Sequence, residues 1–474
     1  MKKSWIAGAA VALAGAGAAV PYWTGMRAET AFKTNLEALS QHPQVEANLV
    51  RYERHWFSAE ARSRVVLTPG GERLTLRLDH DIRHGPRPSV LGLARVTSSL
   101  IVPTAYRSAV SHYYGDAEPL TADLAIGLTG AQDLSLSSPA FEGAPLGNPT
   151  AQASWGGLTG HLHLSSSADS GTLELEMPGL ELHDNDGNIV VGKVTTSSRF
   201  ERKAEDLWLG STDFRAARFE LAFPDPEASG DRRFSFRGLE GSQGVAETEK
   251  ERFLTMESRW QVEQARLDDQ EIRDAEFGLE ARHIHAPTLQ TLNRRFRDLQ
   301  RQELDQEALR RRTLTLLRDL LPRFLDNSPE LAVTKLSFRT AQGEFEGEAD
   351  VRYRGGDGNG AMALANPSRL LQRTTAEARV RVAKALLSRL LEGASRAQAA
   401  KGLGPEAEPG KIDRRVKRMV QQRLGMLQGL GLLEAENGHY TTRARWEEGR
   451  ISVNGQPLNG LAQGMLGGTG PGQP

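Results

Sequence analysis

Apolar and polar residues alternate with a period of two over much of the chain. In the stretch GERLTLRLDHDI, the residues from Leu74 to Ile82 at even positions point to one side, and the charged residues between them point to the other. A looser alternation over 59–67 precedes this stretch, and Thr68-Pro69-Gly70-Gly71 has the composition of a turn. The two stretches therefore predict a β-hairpin with one apolar face.

The same alternation returns many times before residue 285. Further predicted strands contain Leu173, Leu175 and Met177; Ile189 to Val191; Phe219, Leu221 and Phe223; Phe234 and Phe236; Leu254, Met256, Trp260 and Val262; and Phe277 and Leu279. No repeat of fixed length is present, which argues against a solenoid or a propeller. The pattern predicts a long antiparallel meander.

Helical spacing of apolar residues appears in four places. It predicts a helix over 28–47, one or two helices over 287–326, a helix that Asn366-Pro367 opens and that Gly393 ends, and a basic helix over 411–428. Strands resume near 331–354 and 451–453, and Asn437-Gly438 marks a hairpin. The predicted fold class is α+β, with a long, twisted, mainly antiparallel sheet and amphipathic helices.

An apolar segment of about 20 residues follows Lys2 and Lys3, long enough to cross a bilayer. Its predicted anchor residues are Trp5, Leu13, Tyr22 and Trp23. The lysines stay on the cytoplasmic side, so the body is exported. Cleavage near Ala18 is the alternative, because Ala16-Gly17-Ala18 is a small-x-small site. The aromatic pair Tyr22 and Trp23 favours retention in the membrane.

Composition excludes several classes of function. The chain has 474 residues, 59 basic and 60 acidic side chains, and no cysteine. We therefore expect no nucleic-acid partner, no disulfide, no thiolate metal site and no cysteine nucleophile. The change of period suggests an anchor or signal over 1–26, a β-rich region over 27–285, an α+β region over 286–466 and a disordered tail over 467–474.

Candidate chemical groups are few, and each has a simpler structural interpretation. His161 and His163 share one face of a strand, as do His283 and His285, but neither pair has further ligands nearby in sequence. Asp184-x-Asp186-Gly187 is half of a calcium loop and is better interpreted as a turn. We therefore predict no catalytic, metal or cofactor site.

An acidic stripe is the remaining candidate. Glu344, Glu346, Glu348 and Asp350 lie on one face of a strand, opposite Phe345 and Val351. The stripe could bind cations or a basic partner, although a plain solvent-exposed face is the commoner meaning of such a pattern.

Five short motifs resemble the YdgA-like family of bacterial envelope proteins of unknown function. They are PYWTGMRAE, YERHWFSAEARS, DHDIRHGP, DLWLG and RISVNG, with Tyr22, Trp23, Glu29, Tyr52, Arg54, Phe57, Ser58, His80, His84, Gly85, Pro86, Trp208, Gly210, Asn454 and Gly455 among the matching residues. The resemblance implies a protein anchored in, or exported across, the inner membrane of a Gram-negative cell, with its bulk in the periplasm. It implies no catalytic residues, so we expect the motif residues to be structural. In particular, His80 and His84 are expected to be hydrogen-bonded near a tight turn.

More than ten predicted strands have one apolar face, and each such face must be covered by another part of the structure or by a ligand. The sheet can curl onto itself, which is the commoner solution, or leave part of the face open to a lipid chain. We expect a non-enzymatic envelope protein with a possible groove for phospholipid acyl chains. The alternatives are an interaction scaffold, in which the basic helices dock an envelope protein or the membrane surface, and an enzyme with an unrecognised site.

Overall fold

A computed structural model defines most of the chain. It describes residues 26, 29, 30, 32, 33, 45–67, 74–85, 90, 92–145, 148–224, 231–248, 252–268, 270–300, 302, 304–356, 358, 360–401 and 409–458. The predicted anchor residues, the turn at 68–71, Pro86 and the tail over 467–474 lie outside the described residues. Within the described residues, no helix is both long enough and apolar enough to cross a bilayer.

The contacts divide the chain into two compact units. Unit 1 comprises residues 1–231 and 290–317, and unit 2 comprises residues 232–289 and 318–474. The boundary at 285 that the change of period suggests stays a prediction.

Unit 1 contains fourteen of the described antiparallel strands, a short helix and, through its segment 290–317, parts of two later helices. The strands are β1 (Val45–Arg54), β2 (Ser58–Leu67), β3 (Leu74–His84), β4 (Ala94–Leu100), β5 (Thr121–Ile126), β6 (Gln132–Ser138), β7 (Phe141–Gly143), β8 (Gln152–Trp155), β9 (Leu158–Leu164), β10 (Ser170–Met177), β11 (Leu180–Asp184), β12 (Gly187–Val191), β13 (Val194–Ala204) and β14 (Leu207–Pro224). Helix α1 (Arg107–Tyr114) follows β4. The strands pair in the order β1-β2-β3-β4-β5-β6-β9-β10-β13-β14, and β14 continues into β12-β11-β8-β7.

A line of glycine and proline crosses five neighbouring strand segments of unit 1. In each of these segments, two consecutive residues are missing from the strand pairing. The pairing on either side aligns these two-residue interruptions next to one another, at Pro139-Ala140, Gly156-Gly157, Pro178-Gly179, Gly192-Lys193 and Ala217-Arg218. We call this line the crease. Hydrogen bonds still cross it, since the Gly156 N–H donates to the Gly179 carbonyl at 2.8 Å and the Gly192 N–H donates to the Arg218 carbonyl at 2.8 Å.

Unit 2 contains a second antiparallel meander, with most of the helices. Its strands are β15 (Asp231–Glu247), β16 (Phe253–Leu267), β17 (Gln270–His285), β18 (Glu330–Thr340), β19 (Gly343–Tyr353), β20 (Thr374–Ala383), β21 (Glu434–Glu436), β22 (His439–Glu447), β23 (Arg450–Val453) and β24 (Gln456–Pro457). The helices after β17 are α2 (Ala286–Gln300), α3 (Gln306–Leu325), α4 (Gly360–Ala365), α5 (Pro367–Gln372), α6 (Lys384–Lys401) and α7 (Pro409–Gly429). Residues 290–317, in α2 and α3, belong to unit 1, and the other helical residues belong to unit 2. The strand order is β15-β16-β17-β18-β19-β20-β22-β23-β24, and β21 adds to the same edge of β22 as β23.

The mainly antiparallel α+β fold is confirmed. So are the β2/β3 hairpin, the helical pair over 287–326, the basic helix α7 and the hairpin at Asn437-Gly438. The end of the helix predicted over 28–47 is wrong, because β1 begins at Val45. Strand propensity and pairing with β2 override the helical spacing there.

The single long helix predicted from Asn366 is also wrong. Asn366 does cap a helix, accepting hydrogen bonds from the Ser368 and Arg369 amides, but α5 is only six residues long. The next ten residues form β20, whose apolar side is partly alanine, so its alternation is weak in the sequence. Gly393 does not end the helix that follows, since α6 continues to Lys401.

Among the described residues, clusters of buried side chains stabilise the sheets of both units. In unit 1, a core forms on β1–β5 around Ala59, Ile82 and Val96. In unit 2, one cluster joins α6 and α7 to β19, β20 and β22, and includes Val382, Leu386, Val416, Val420 and Tyr440. The other joins the end of α3 to α4, α5 and the end of β19 through Leu325, Ala363, Leu370 and Tyr353.

The crease requires glycine at position 157. The residue has a φ of +90°, and a Cβ there would lie 2.9 Å from the Ser138 carbonyl oxygen. We expect Gly157→Ala to lower the free energy of unfolding by about 1–3 kcal/mol, since an L-residue at positive φ is strained and the contact is too close. Urea denaturation measures this. Gly143→Ala is the matched control, because nothing lies within 4 Å of its Cβ position, and a loss of equal size there would contradict the crease argument.

Candidate functional site

The described motif residues nearest the N-terminus converge on the core of unit 1. Tyr52 on β1 and His80 on β3 both contact the ring of Phe32, with centroid distances of 6.2 Å and 4.9 Å. Phe32 is 6% exposed and belongs to the core cluster. This contact joins the short helical segment after the predicted anchor to the sheet.

Ionic contacts reinforce the same junction. Glu29 accepts from Lys33 at 2.7 Å and from Arg54 at 3.2 Å. The Lys33 ammonium also lies 5.8 Å from the centre of the Tyr52 ring. Burial, and secondly the charge of Glu29, raise the pKa of Tyr52 to about 12, so its phenol is neutral. The motif residues Glu29, Tyr52 and Arg54 therefore act together as a structural clamp.

His80 is a buried, neutral histidine with both ring nitrogens in hydrogen bonds. Nε2 lies 2.8 Å from the Ser63 hydroxyl and Nδ1 lies 2.7 Å from the Ser98 hydroxyl. Burial lowers its pKa to about 4, against a smaller opposing effect of Asp79. The two hydroxyls, which donate and accept equally well, satisfy a neutral imidazole on neighbouring strands.

His84 and Gly85 lie at the point where the chain leaves β3. The His84 amide donates to the Phe57 carbonyl at 3.0 Å and the Gly85 amide donates to the Leu93 carbonyl at 2.8 Å. A Cβ at Gly85 would lie 2.0 Å from the Gly92 carbonyl oxygen, so only glycine permits this approach of two backbones. Ser58, the other motif residue in this region, pairs with Arg83 at the start of β2.

The DLWLG motif, residues 206–210, contacts helix α2 within unit 1. Trp208 is 43% exposed and packs edge-on against Phe200, with centroids 5.7 Å apart. A Cβ at Gly210 would lie 2.0 Å from the Arg199 carbonyl oxygen. The Asp206 carboxylate is only 7% exposed and forms an ion pair with Arg297 of α2. The Asn293 side-chain amide donates to the backbone carbonyl of Asp206 at 2.9 Å.

The last motif forms a tight turn between β23 and β24. Asn454 and Gly455 have φ values of +50° and +78°, as two-residue hairpin turns require. The Asn454 side chain accepts from the Arg443 amide at 2.8 Å and donates to the Gly431 carbonyl at 2.9 Å. The described motif residues thus lie at three separate places, and they hold backbone segments together.

The histidine pairs and the aspartate loop do not form metal sites in the described part of the chain. His161 and His163 share the polar face as predicted, where His163 lies 2.7 Å from Asp133. His283 has a φ of +55° at an irregular point of β17, and His285 lies 2.8 Å from the Thr288 hydroxyl. Asp184 to Gly187 is the β11/β12 turn.

The acidic stripe of β19 is paired with arginine. On β20, Arg381 contacts Glu344 at 2.6 Å and Arg379 contacts Glu348 at 3.0 Å. The Arg381 hydrogen bond lowers the pKa of Glu344 and keeps that carboxylate ionised. A polar cavity of about 670 Å³ lies here, and Asn454 and Gly455 are also among its lining residues. Its basic and acidic side chains are equal in number, so the cavity has no net charge.

The opposite face of the same sheet is apolar and only partly covered. On β19, the α6/α7 cluster covers Phe345 and the α3–α5 cluster covers Tyr353. These residues are eight positions apart, about 27 Å along a strand. Between the two clusters, neighbouring strands present Phe277, Leu331, Leu336, Ala349, Val351, Ala376, Ala378 and Trp446, which we call the apolar trough.

Large apolar side chains in the trough are unusually exposed. Leu331 is 49% exposed, Val351 40%, Leu336 38% and Phe277 37%. They are cross-strand neighbours, since Phe277 faces Leu336 and Leu331 faces Val351. Val333 and Ala349, both partly buried, lie between these two pairs on the same face. An exposed apolar surface of this kind is typical of a binding surface.

Comparison with known proteins gives a family without a described activity. A family profile described as "Bacterial protein of unknown function (DUF945)" matches residues 1–460. The chain belongs to this family. No curated protein matches significantly. No solved structure matches significantly either.

The sequence missed the trough in this DUF945 protein for one main reason. One strand of the trough, β20, is predicted as a helix from the sequence, so Ala376 and Ala378 are not placed on the apolar side of a sheet. The alternation of Thr375, Glu377 and Arg379 with those alanines is the signal that could have revealed it.

Neutral His80 makes the stability of this DUF945 protein depend on pH. The unfolded histidine titrates near pH 6.5 and the folded one near 4. The stabilisation is therefore complete above pH 6.5 and is lost as pH falls towards 4, by about 2–3 kcal/mol. Denaturation between pH 7 and 4 measures this.

His80→Asn is expected to flatten this pH dependence, and Ser63→Ala serves as the comparison. The serine variant loses a hydrogen bond to His80 and keeps the titrating ring, so it should lose stability at every pH and retain the slope. A His80→Asn protein with an unchanged slope would contradict the assignment.

Proposed function

We propose that this protein is a non-enzymatic, YdgA-like envelope protein that holds a lipid acyl chain in the apolar trough. The N-terminal apolar segment tethers it to the inner membrane, and its two units lie in the periplasm. The observation that carries the proposal is the exposed apolar strip between two covered clusters on one face of the unit 2 sheet.

The physical case rests on unburied apolar area. Full burial of one Val, Leu or Phe side chain contributes about 1.5–3 kcal/mol, and four such side chains in the trough are each some two fifths exposed. Covering them would contribute roughly 3 kcal/mol, before the gain from burying the ligand itself. An acyl chain is a suitable ligand for the trough, because it would cover these side chains with apolar surface. It would also bring no polar group that needs a hydrogen-bond partner there.

The shape of the trough suits a chain that runs across the strands. Leu331, Val351, Ala376 and Trp446 form one row on β18, β19, β20 and β22, and neighbouring strands lie about 4.8 Å apart. Ala349 and Ala378 form the next row. Small side chains in this second row leave space between the flanking large ones.

Unit 1 offers further support. Leu134, Leu162 and Leu173 face one another across β6, β9 and β10, on the same side as the core of β1–β5. These leucines are only partly buried, whereas Ala59 and Ile82 in the core are fully buried. The apolar face of unit 1 is therefore more open at β6, β9 and β10 than at the core of β1–β5.

Photo-crosslinking in cells tests the proposal. A benzophenone amino acid in place of Val351 is expected to capture lipid, because the side chain faces the trough. The same amino acid in place of Glu348 faces the opposite, polar side of β19 and should capture at least tenfold less. The intact mass of the purified protein identifies lipid adducts.

A second pair of variants controls for general effects of charge. Leu331→Asp should reduce the adduct at position 351 severalfold, since a carboxylate in the trough opposes an acyl chain. Leu128→Asp changes a leucine outside the trough that is more exposed than Leu331, 64% against 49%, and should have no effect. Equal capture at positions 351 and 348 would contradict the proposal, as would the absence of lipid adducts at 351.

A further inference from the structure

Helix α5 lies directly beside the end of the apolar trough. The indole Nε1 of Trp446 donates to the Leu371 carbonyl at 2.9 Å, and the Thr374 hydroxyl donates to the Leu370 carbonyl at 2.8 Å. Trp446 belongs to the row that also contains Ala376, Val351 and Leu331. Polar groups on α5 are therefore within reach of a chain lying along that row.

Two arginines line a small cavity at this place. Arg369 and Arg373 are four positions apart, so both project from the same side of α5 and its C-cap. They line a cavity of about 360 Å³ together with Met362, Ala363 and Gln372. One wall of this cavity is thus cationic, and another is apolar.

Neither guanidinium has an acidic partner among the described residues. By contrast, Arg379 and Arg381 on the other face of the sheet are both paired with glutamates. Two like charges four positions apart on a helix repel one another, and a bound anion would remove that repulsion. The two guanidinium groups therefore offer a favourable position for an anion.

A buried hydroxyl supplies a second observation at this end of the trough. Tyr353 is 6% exposed, and its hydroxyl has no hydrogen-bond partner in the described part of the chain. The same cluster contains Ala363, which also lines the cavity, and Leu370 from α5. A buried donor of this kind is costly unless a ligand or water satisfies it.

We propose that Arg369 and Arg373 bind the phosphate of an anionic phospholipid whose acyl chain lies in the trough. Guanidinium groups match phosphate oxygens with paired hydrogen bonds, and the adjacent row of Trp446, Ala376 and Val351 receives the chain. The assignment rests on the proposed function and adds the class of ligand: a phosphate-bearing amphiphile rather than a neutral one.

Paired lipid probes test this assignment on the purified full-length protein. One probe is palmitoyl lysophosphatidylglycerol, and the other is monopalmitoylglycerol, which carries the same chain without the phosphate. We expect wild type to bind the phosphate-bearing probe about tenfold more tightly. In the double variant Arg369→Gln/Arg373→Gln the ratio should approach one, with binding of monopalmitoylglycerol unchanged.

The matched control is Arg414→Gln/Arg418→Gln, which removes another pair of exposed arginines four positions apart, on α7. It should keep the tenfold preference. A preference that survives in the Arg369/Arg373 variant, or that is lost equally in the α7 variant, would overturn the phosphate site.

Two further outcomes separate the site from the proposed function. If wild type binds both probes equally well, the phosphate assignment fails and the acyl trough stands. If wild type binds neither probe, the proposed function itself fails. Competition by inorganic phosphate as strong as that by lysophosphatidylglycerol would indicate a free-phosphate site and overturn the headgroup assignment.

Discussion

The structure depends on one constraint: each strand of a long antiparallel sheet has an apolar side that must be covered. In unit 2, helices and their loops cover both ends of the apolar face on β19 and leave an interval of large side chains exposed. Contact of the Leu331 and Val351 side chains with water is unfavourable in free energy, and large exposed apolar patches are uncommon on soluble proteins. Their presence is the main reason to infer an occupant.

The motif residues have a different role from the trough. Glycines at 85 and 210 allow backbones to approach where a Cβ would collide, and Asn454 bonds two separate backbone segments. His80 joins three strands through two serine hydroxyls. These residues maintain the geometry of the sheets.

The sequence predicts the strands well where large apolar residues alternate, as in β3 and β10, and the helices well where a wide apolar stripe recurs, as in α7. It fails for β20, because alanine alternating with arginine and glutamate resembles a helix surface. It also misses the crease, where the apolar positions change from Leu175 and Met177 to Leu180 and Leu182. The alternation around Ala376 and Ala378 marks the apolar side of β20, but the trough also depends on which strands become neighbours. The place of the arginine pair depends on where α5 packs against the sheet.

The most direct test of the central claim is the intact mass of the full-length protein, extracted from membranes with a mild detergent and measured under native conditions. The account predicts adducts of phospholipid mass that persist through exchange into a second detergent. It also predicts that the N-terminal residues are retained, because the apolar segment acts as the tether. A bare polypeptide mass after gentle extraction would contradict the lipid-holding role.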